Sequence, residues 1–441
     1  MRRPPLLVRA SVLLGALAVV AGCSGNDLIL KTGLTTTTIV GPAPLLAPDL
    51  AGLTGTAVST ELPDDFLERL RRIDPLLVDP GYAAQAYDSV IVVALAAESA
   101  KTDAPSRFAS EIVGVTRKGE KCTTYSSCRV LTDAGDLSDP DYDGVSGPIE
   151  MQPGGDVGEA SYDVSQFDPS GKLERLGQRT SRAAPVPKGT TFPAIDPLAG
   201  PAPDGHLTIG VVLSRQGVSS STTQAERAGI KLAVEDVNRA DGVLGVPVRL
   251  LDSDAGVPGS TTAAAAVARQ ISQGADVIIG ASTNDGTAAI MGQVTSAGVI
   301  LVSPSATGTS IGEDDRGLFF RLAPDDSLQG EVLAGAVAAD GHLAPVLIVQ
   351  RSVFGQDAAY AVAAGLASAG AAVKSSIPVD PDALPADLAA QVAATGGDST
   401  VFVGSNEATA AMTRAMIDAG VSPTTSPWYV TDIDPTIGGA P

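Results

Sequence analysis

Residues 207–217 read LTIGVVLSRQG. An apolar run, Leu207–Leu213, that ends in a polar turn predicts a buried strand handing over to a helix. The pattern then repeats. TTQAERAGIKLAVEDVNRA places Ile230, Ala233, Val234 and Val237 on one helical face, VPVRLLD is a strand, STTAAAAVARQIS a helix, DVIIG a strand, DGTAAIMGQVTSA a helix and VILVS a strand. LFFRLAP reads as a crossover strand. Beyond it the alternation resumes: helices in SLQGEVLAGAVAAD, GQDAAYAVAAGLASA, ALPADLAAQVAA and ATAAMTRAMIDAG, strands in APVLIVQ, AAVKSSIPV, STVFVG and PWYVTD. Short apolar strands separated by helices require parallel sheets covered on both faces through right-handed crossovers. Two such runs, joined at residues 320–327, predict an α/β protein of two Rossmann-like lobes. Ligands of open α/β sheets sit beyond the carboxyl ends of the strands, which here means the interlobe cleft.

A fold that starts at residue 207 leaves a long stretch before it. Arg2, Arg3 and Arg9 precede an apolar run from Val12 to Ala21, followed by Gly22-Cys23. The run is too short to span a bilayer and suits the apolar region of a secretory signal. Val20-Ala21-Gly22-Cys23 resembles the bacterial lipobox, which implies cleavage after residue 22 and lipid on Cys23. The protein would then be extracytoplasmic and anchored to the bacterial cell membrane by acyl chains, each buried CH₂ contributing about 0.8 kcal/mol. An ordinary signal peptide is the alternative. Residues 23–47, rich in Thr, Gly and Pro, read mostly as a tether. PDDFLERLRRI is a helix with acids at its start and arginines at its end. GYAAQAYDSVIVVALAAESA is a nearly all-apolar helix with Tyr87, Ile91, Ala94 and Leu95 on a buried face. SGPIEM and ASYDVSQF read as paired strands around PGGD. Residues 171–205 hold Pro185, Pro187, Pro193, Pro197, Pro201 and Pro203 and read as a linker.

The formal charge is −21, or −24 without residues 1–22. Such a surface repels nucleic acid and anionic headgroups. Cys122 and Cys128, in KCTTYSSC, fit one local disulfide in an exported protein; a metal site there would lack histidine and further soft ligands. The loop-entropy estimate for so short a bridge is about 2 kcal/mol. The chain's two histidines, His206 and His342, have no metal spacing, and neither a G-x-S-x-G elbow nor a phosphate-binding loop occurs. Asp252 and Asp254 read as a strand-end turn. Neither catalysis nor a cofactor is expected.

The stretches IGVVL, AGIKLAVEDVNRADGVLGVPVRLLDSD, DVIIGASTNDGTAAI, GVILVSPSAT, LFFRLAPDDSLQG, VFVGSNEATAAMTRAMIDAG and WYVTD resemble, in order and spacing, the type I periplasmic binding proteins. The likeness is to the Leu/Ile/Val-binding-protein branch, the solute receptors of ABC importers. LPDDFLERLRRIDP with DPGYAAQAYDSVIVVALAAESA resembles the family segment that normally follows the WYVTD strand, and EKCTTYSSC with YDGVSGPIEMQPGGDVGEASYDVSQFDPSGKL resembles its usual end. The resemblance thus implies a circularly permuted order; two incomplete copies that pair with other chains are the alternative. The expected layout is a leader at 1–22, lobe 1 from 48–143 and 206–324, lobe 2 from 146–170 and 326–432, and a tail at 433–441. Crossings remain near Gly144 and Pro324, and the 171–205 linker replaces a third.

Four stretches should face the cleft. Ser282 and Thr283 in ASTNDG, and Ser305 and Thr307 in SPSATG, offer hydroxyls beside helix N-termini, a combination suited to a carboxylate. The resemblance implies that they hold an amino acid's α-carboxylate; helix capping is the plain alternative. On the other wall stand Ser405, Asn406 and Asp432. The resemblance implies that Asp432 pairs with the ligand's ammonium; it could equally be a turn residue. Ser405 and Asn406 replace an aromatic residue of the amino-acid binders, and Ser219–Gln224 lacks the family's common tyrosine, so the ligand's identity stays open. The expected function is capture of a small polar ligand, an amino acid or similar zwitterion, for an ABC permease. A sensor lipoprotein or a non-binding relic are the other readings.

Overall fold

The computed structural model describes residues 28–32, 35–39, 47–59, 61–133, 139–184, 190, 192, 195, 200–216, 220–257, 259–312, 315–434 and 437. The leader and Cys23 lie outside these residues. Within the stretch expected as a tether, Leu28–Thr32 and Thr35–Ile39 pair antiparallel. A run of β-branched threonines suits a pleated strand, whatever its lack of apolar alternation.

The strand Thr208–Leu213 is fully buried, as its sequence requires. It lies second in a five-stranded parallel sheet ordered Arg249–Asp254, Thr208–Leu213, Val277–Gly280, Ile300–Ser303, Phe319–Arg321. The helix Ala83–Ala100, from the front of the chain, completes this lobe: Val90, Ile91, Val93 and Leu95 share one apolar core with Ile209, Val211, Ile279 and Ile300. It packs on the helix Ser220–Arg239, where Tyr87 Oη donates to Asp236 Oδ2 at 2.8 Å and Arg69 pairs with the same carboxylate. A small sheet of Glu120–Cys122, Pro140–Gly144 and Gly147–Pro148 sits beside them, with Cys122 and Cys128 joined in a disulfide.

The second sheet has seven strands, ordered Ser375–Val379, Val346–Gln350, Thr400–Val403, Trp428–Val430, Thr54–Val58, Glu159–Phe167, Leu173–Arg182. The first five run parallel. Thr54–Val58 lies between two partners distant in sequence, parallel to Trp428–Val430 and antiparallel to Glu159–Phe167. Front and rear of the chain therefore share one sheet. Trp428 is core, fully buried, with Phe402 edge-on at 5.1 Å.

Three details depart from the sequence expectation. Thr54–Val58, assigned above to lobe 1 with 48–143, joins lobe 2, because Gly55 lets its backbone close on the Val430 side chain. The crossing between Val58 and Asp64 therefore survives, beside those between Pro148 and Glu159 and between Arg321 and Asp326. The path from Arg182 to Thr208 is a further connection and replaces none of them. Leu173–Arg182, assigned to the linker, is an edge strand whose side chains are nearly all exposed, so no apolar alternation marks it. SGPIEM and ASYDVSQF do not form a strand pair. Gly147–Pro148 pairs with Pro140–Gly144, and Met151↔Val157 is an isolated bridge.

Candidate functional site

The lobe 1 wall is built where Val277–Gly280 and Ile300–Ser303 end. Thr283 caps the helix Asn284–Ser296, its hydroxyl accepting the Gly286 N–H at 3.1 Å. Ser282 and Ser305 do something else: both hydroxyls donate to the carboxylate of Glu226, Ser305 at 2.5 Å to Oε1 and Ser282 to Oε2. Glu226 is fully buried on the helix Ser220–Arg239. Burial pushes its pKa up to about 7, against the two hydroxyls and the charge of Arg227. The Thr307 N–H donates to Asn284 Oδ1 at 2.9 Å, which ties the two hydroxyl-bearing loops together. A cavity of about 310 Å³ opens beside them, lined by Ser214, Thr223, Val257, Ser260, Ser282 and Thr283.

The lobe 2 wall carries two more acids. Asp432 follows the strand Trp428–Val430 in a left-handed conformation, φ 39°, and its Oδ1 accepts Gln329 Nε2 at 2.9 Å. Asp326 opens the helix Asp326–Ala339 and donates its N–H to the Thr307 carbonyl at 2.8 Å. The preceding residue, Asp325, already caps that helix, so the Asp326 side chain is not needed there. It is 2% exposed, and among the described residues neither of its oxygens has a close hydrogen bond, the Thr307 hydroxyl acting on it only weakly. Burial pushes its pKa up to about 7, with Asp432 adding and Thr307 and Arg321 opposing. Burial also raises Asp432. Tyr82, at the start of the helix Ala83–Ala100, is raised first by burial and then by the charges of Asp432, Asp326 and Glu226. These four groups thus share one electrostatic environment between the lobes.

Ser405 caps the helix Asn406–Asp418, accepting the Ala408 N–H at 3.3 Å, and its own N–H donates to Gln350. Asn406 Oδ1 is buried, with no partner among the described residues. Of the residues expected at the cleft, Thr283 and Ser405 are therefore engaged in capping, while Ser282 and Ser305 are drawn to Glu226. Glu226, Asp326 and Tyr82 were not expected there. The missed signal for Glu226 lies in spacing: residues 226, 230, 233 and 237 form one helical stripe, and Ile230, Ala233 and Val237 are its apolar members. Asp252 takes up Arg227 and Arg215, both at 3.1 Å, as a structural ion pair.

Two ties hold the strand ends here, one within lobe 1 and one between the lobes. Arg321 is buried at the end of Phe319–Arg321, donating to Asp156 at 2.5 Å and to the Gly308 carbonyl at 2.6 Å. Ser310 Oγ donates to Asp357 Oδ2 at 2.6 Å, joining the hydroxyl-bearing loop to the helix Val353–Ser368.

The sequence pattern of a protein family described as periplasmic binding protein matches residues 206–439. The Leu/Ile/Val-binding protein homolog 3 of Brucella melitensis biotype 1 is 27% identical over 222 residues, covering 49% of this chain and 59% of that protein. The chain thus matches less than two thirds of that relative's length. Among solved structures, the solute-binding protein of an ABC transporter from R. palustris in complex with 4-hydroxybenzoate is 18% identical, with a TM-score of 0.47, over 53% of this chain and 65% of that one. The branched-chain amino acid transporter substrate binding protein LivJ from Streptococcus pneumoniae, in complex with isoleucine, is 22% identical, with a TM-score of 0.42, over 51% and 64%.

Proposed function

Because the chain belongs to the periplasmic binding protein family, we propose that it is an extracytoplasmic receptor that captures a small polar ligand between its two lobes and presents it to an ABC permease. The family is one of solute-binding rather than catalytic proteins. The observation that carries the reading is the convergence of polar groups from both lobes, Glu226, Ser282 and Ser305 from one and Asp326 and Asp432 from the other, beside the crossings between Arg321 and Asp326 and before Tyr82. A ligand that touches both walls stabilises the closed arrangement, so binding shifts a population between open and closed states. The curated relative's name is that of a Leu/Ile/Val-binding protein homologue, which supports a ligand of amino-acid size.

Cys23 is proposed as the lipidated mature N-terminus. Cys23→Ala should leave the protein in the soluble fraction of cells, and unchanged membrane association would overturn that assignment. The order of the segments is proposed to be a circular permutation, supported by the seating of Thr54–Val58 beside Trp428–Val430. The test of the receptor reading is a thermal-shift screen with amino acids, their amides, diamines and small aromatic acids, followed by titration calorimetry. Stabilisation by one class supports it; stabilisation by none at millimolar concentration overturns it.

A further inference from the structure

The hydroxyls best placed to hold a ligand carboxylate are not available for one. Ser282 and Ser305 direct their protons to Glu226, and the acid stands behind them, fully buried, where an incoming carboxylate would meet like charge. The opposite wall repeats the sign with Asp326 and Asp432. The cations that act on these acids are committed elsewhere. Arg227 donates to Asp252 and to the Leu213, Ser214 and Ser253 carbonyls, and Arg321 to Asp156 and the Gly308 carbonyl.

The unpartnered atoms point the same way. Among the described residues the Thr307 hydroxyl is the one donor acting on the Asp326 carboxyl, and neither oxygen has a close hydrogen bond, although the side chain is almost wholly buried and lies close enough to Asp432 and Tyr82 to perturb both the acid cluster and the phenol. Gln85, one turn beyond Tyr82 on the same helix, is 3% exposed and its Oε1 has no partner among the described residues. It lines a cavity of about 230 Å³ with Leu322 and Pro324, the segment that leads into Asp326. Buried acceptors without donors are costly, and a ligand rich in N–H groups relieves them. The orphaned donor nearby, Asn284 Nδ2, faces Gly308 instead. Among the described residues no three acidic, imidazole or thiol groups converge closely enough to hold one metal ion. The negative charge is spread over both lobes.

Resting on the receptor reading above, we propose that the ligand is an organic cation with an ammonium at each end and no carboxylate, of the diamine or polyamine class. One ammonium is held by Glu226 with Ser282 and Ser305, the other by Asp326 and Asp432.

The test is titration calorimetry and thermal shift on the purified protein with putrescine, cadaverine and spermidine, set against L-leucine, L-isoleucine and 4-hydroxybenzoate. The expected result is stabilisation by the amines and none by the carboxylates at equal concentration. Glu226→Gln, Asp326→Asn and Asp432→Asn should each weaken amine binding roughly tenfold or more, the effect of losing one charge-assisted hydrogen bond. Asp432 is only half buried, so its variant keeps the test valid if the buried pair fold poorly. Tighter binding of a carboxylate ligand than of any amine overturns this inference and leaves the receptor reading standing. Amine affinity unchanged in all three variants also overturns it. Stabilisation by neither class nor by the wider screen overturns the receptor reading itself.

Discussion

Asp88 shows how one buried carboxylate can hold a tight turn that leads toward a connection between lobes. It lies in the middle of the apolar helix Ala83–Ala100, with no surface exposed. Its oxygens accept from Tyr142 Oη at 2.6 Å, Val145 N at 3.1 Å, and Ser146 N and Oγ at 2.8 and 2.6 Å. Residue 144 must be glycine, since a Cβ there would stand 2.2 Å from Asp88 Oδ2. These bonds fix the tight turn by which Pro140–Gly144 hands over to Gly147–Pro148, ahead of the crossing to the second lobe. Asp88→Ala strands several buried donors at once and should cost on the order of 3 kcal/mol or more, read from the urea midpoint. Asp88→Asn keeps one acceptor oxygen and should lose less. An equal loss in both would show that packing, not hydrogen bonding, holds this turn. Asp88 was visible in the sequence only as an interruption of an apolar helix, and Glu226 only as an acid on an apolar stripe. In both cases the residue type suggests a solvated face, and only the position of its neighbours in space reverses that reading.

At the scale of elements, the regular β-α alternation from Leu207 onward could be read because the inner strands there, such as Thr208–Leu213, Val277–Gly280, Ile300–Ser303 and Thr400–Val403, are buried throughout and the helices between them bury one face. The strands that close the second sheet were harder. Leu173–Arg182 is an edge with exposed side chains, and Thr54–Val58 is short and contains a glycine. Pairing partners far apart in sequence leave no local mark. Gly55 carries the test of that pairing: a Cβ would stand 2.4 Å from Val430 Cγ2 and 2.7 Å from Ile433 Cβ. Gly55→Val should push the front strand off the rear sheet, costing about 1–3 kcal/mol by overpacking. It should also open new protease sites near residues 54–58 and 428–433. Unchanged proteolysis and unchanged stability would contradict the shared sheet. The disulfide Cys122–Cys128 joins the strand Glu120–Cys122 to the helix Tyr125–Asp133 across a sequence separation of 6. Replacing both cysteines by serine should lower stability by about 2 kcal/mol through restored loop entropy, with no effect on ligand affinity, since neither residue lies at the cleft. The hydroxyls at the strand ends were legible, but Glu226, to which Ser282 and Ser305 donate, was not. Hydroxyls at helix starts suggest an anion site until the buried acid behind them is seen.

At the scale of the whole molecule the buried acids give the protein an unusual dependence on pH. Burial raises Glu226 and Asp326 to about 7 and Asp276 to about 8, and raises Asp88 and Asp432 as well. In the unfolded chain such groups lose their protons near pH 4. Between that value and their folded pKa the native state holds more protons than the unfolded one, so stability must fall as pH rises. Their contribution is fully present below about pH 4 and is lost as pH passes through 7–8, by an amount on the order of 3 kcal/mol for each of the most shifted groups. Asp103 works in the opposite direction. Despite burial, the N–H groups of Asp204 and Gly205 hold its pKa down, so its stabilisation is lost only below about pH 4. The urea midpoint should therefore be higher at pH 5.5 than at pH 8. Self-repulsion at a net charge of −21 has the same sign, so the slope alone does not identify its source. Asp276→Asn separates the two. Asp276 is 4% exposed and accepts the Thr208 N–H at 2.8 Å, a bond an asparagine oxygen can replace. Removing one negative charge among many barely changes the repulsion, but removing this titration should flatten the slope between pH 5.5 and 8 and raise stability at pH 8. A slope unchanged by Asp276→Asn would assign the pH dependence to surface charge rather than to the buried carboxyls.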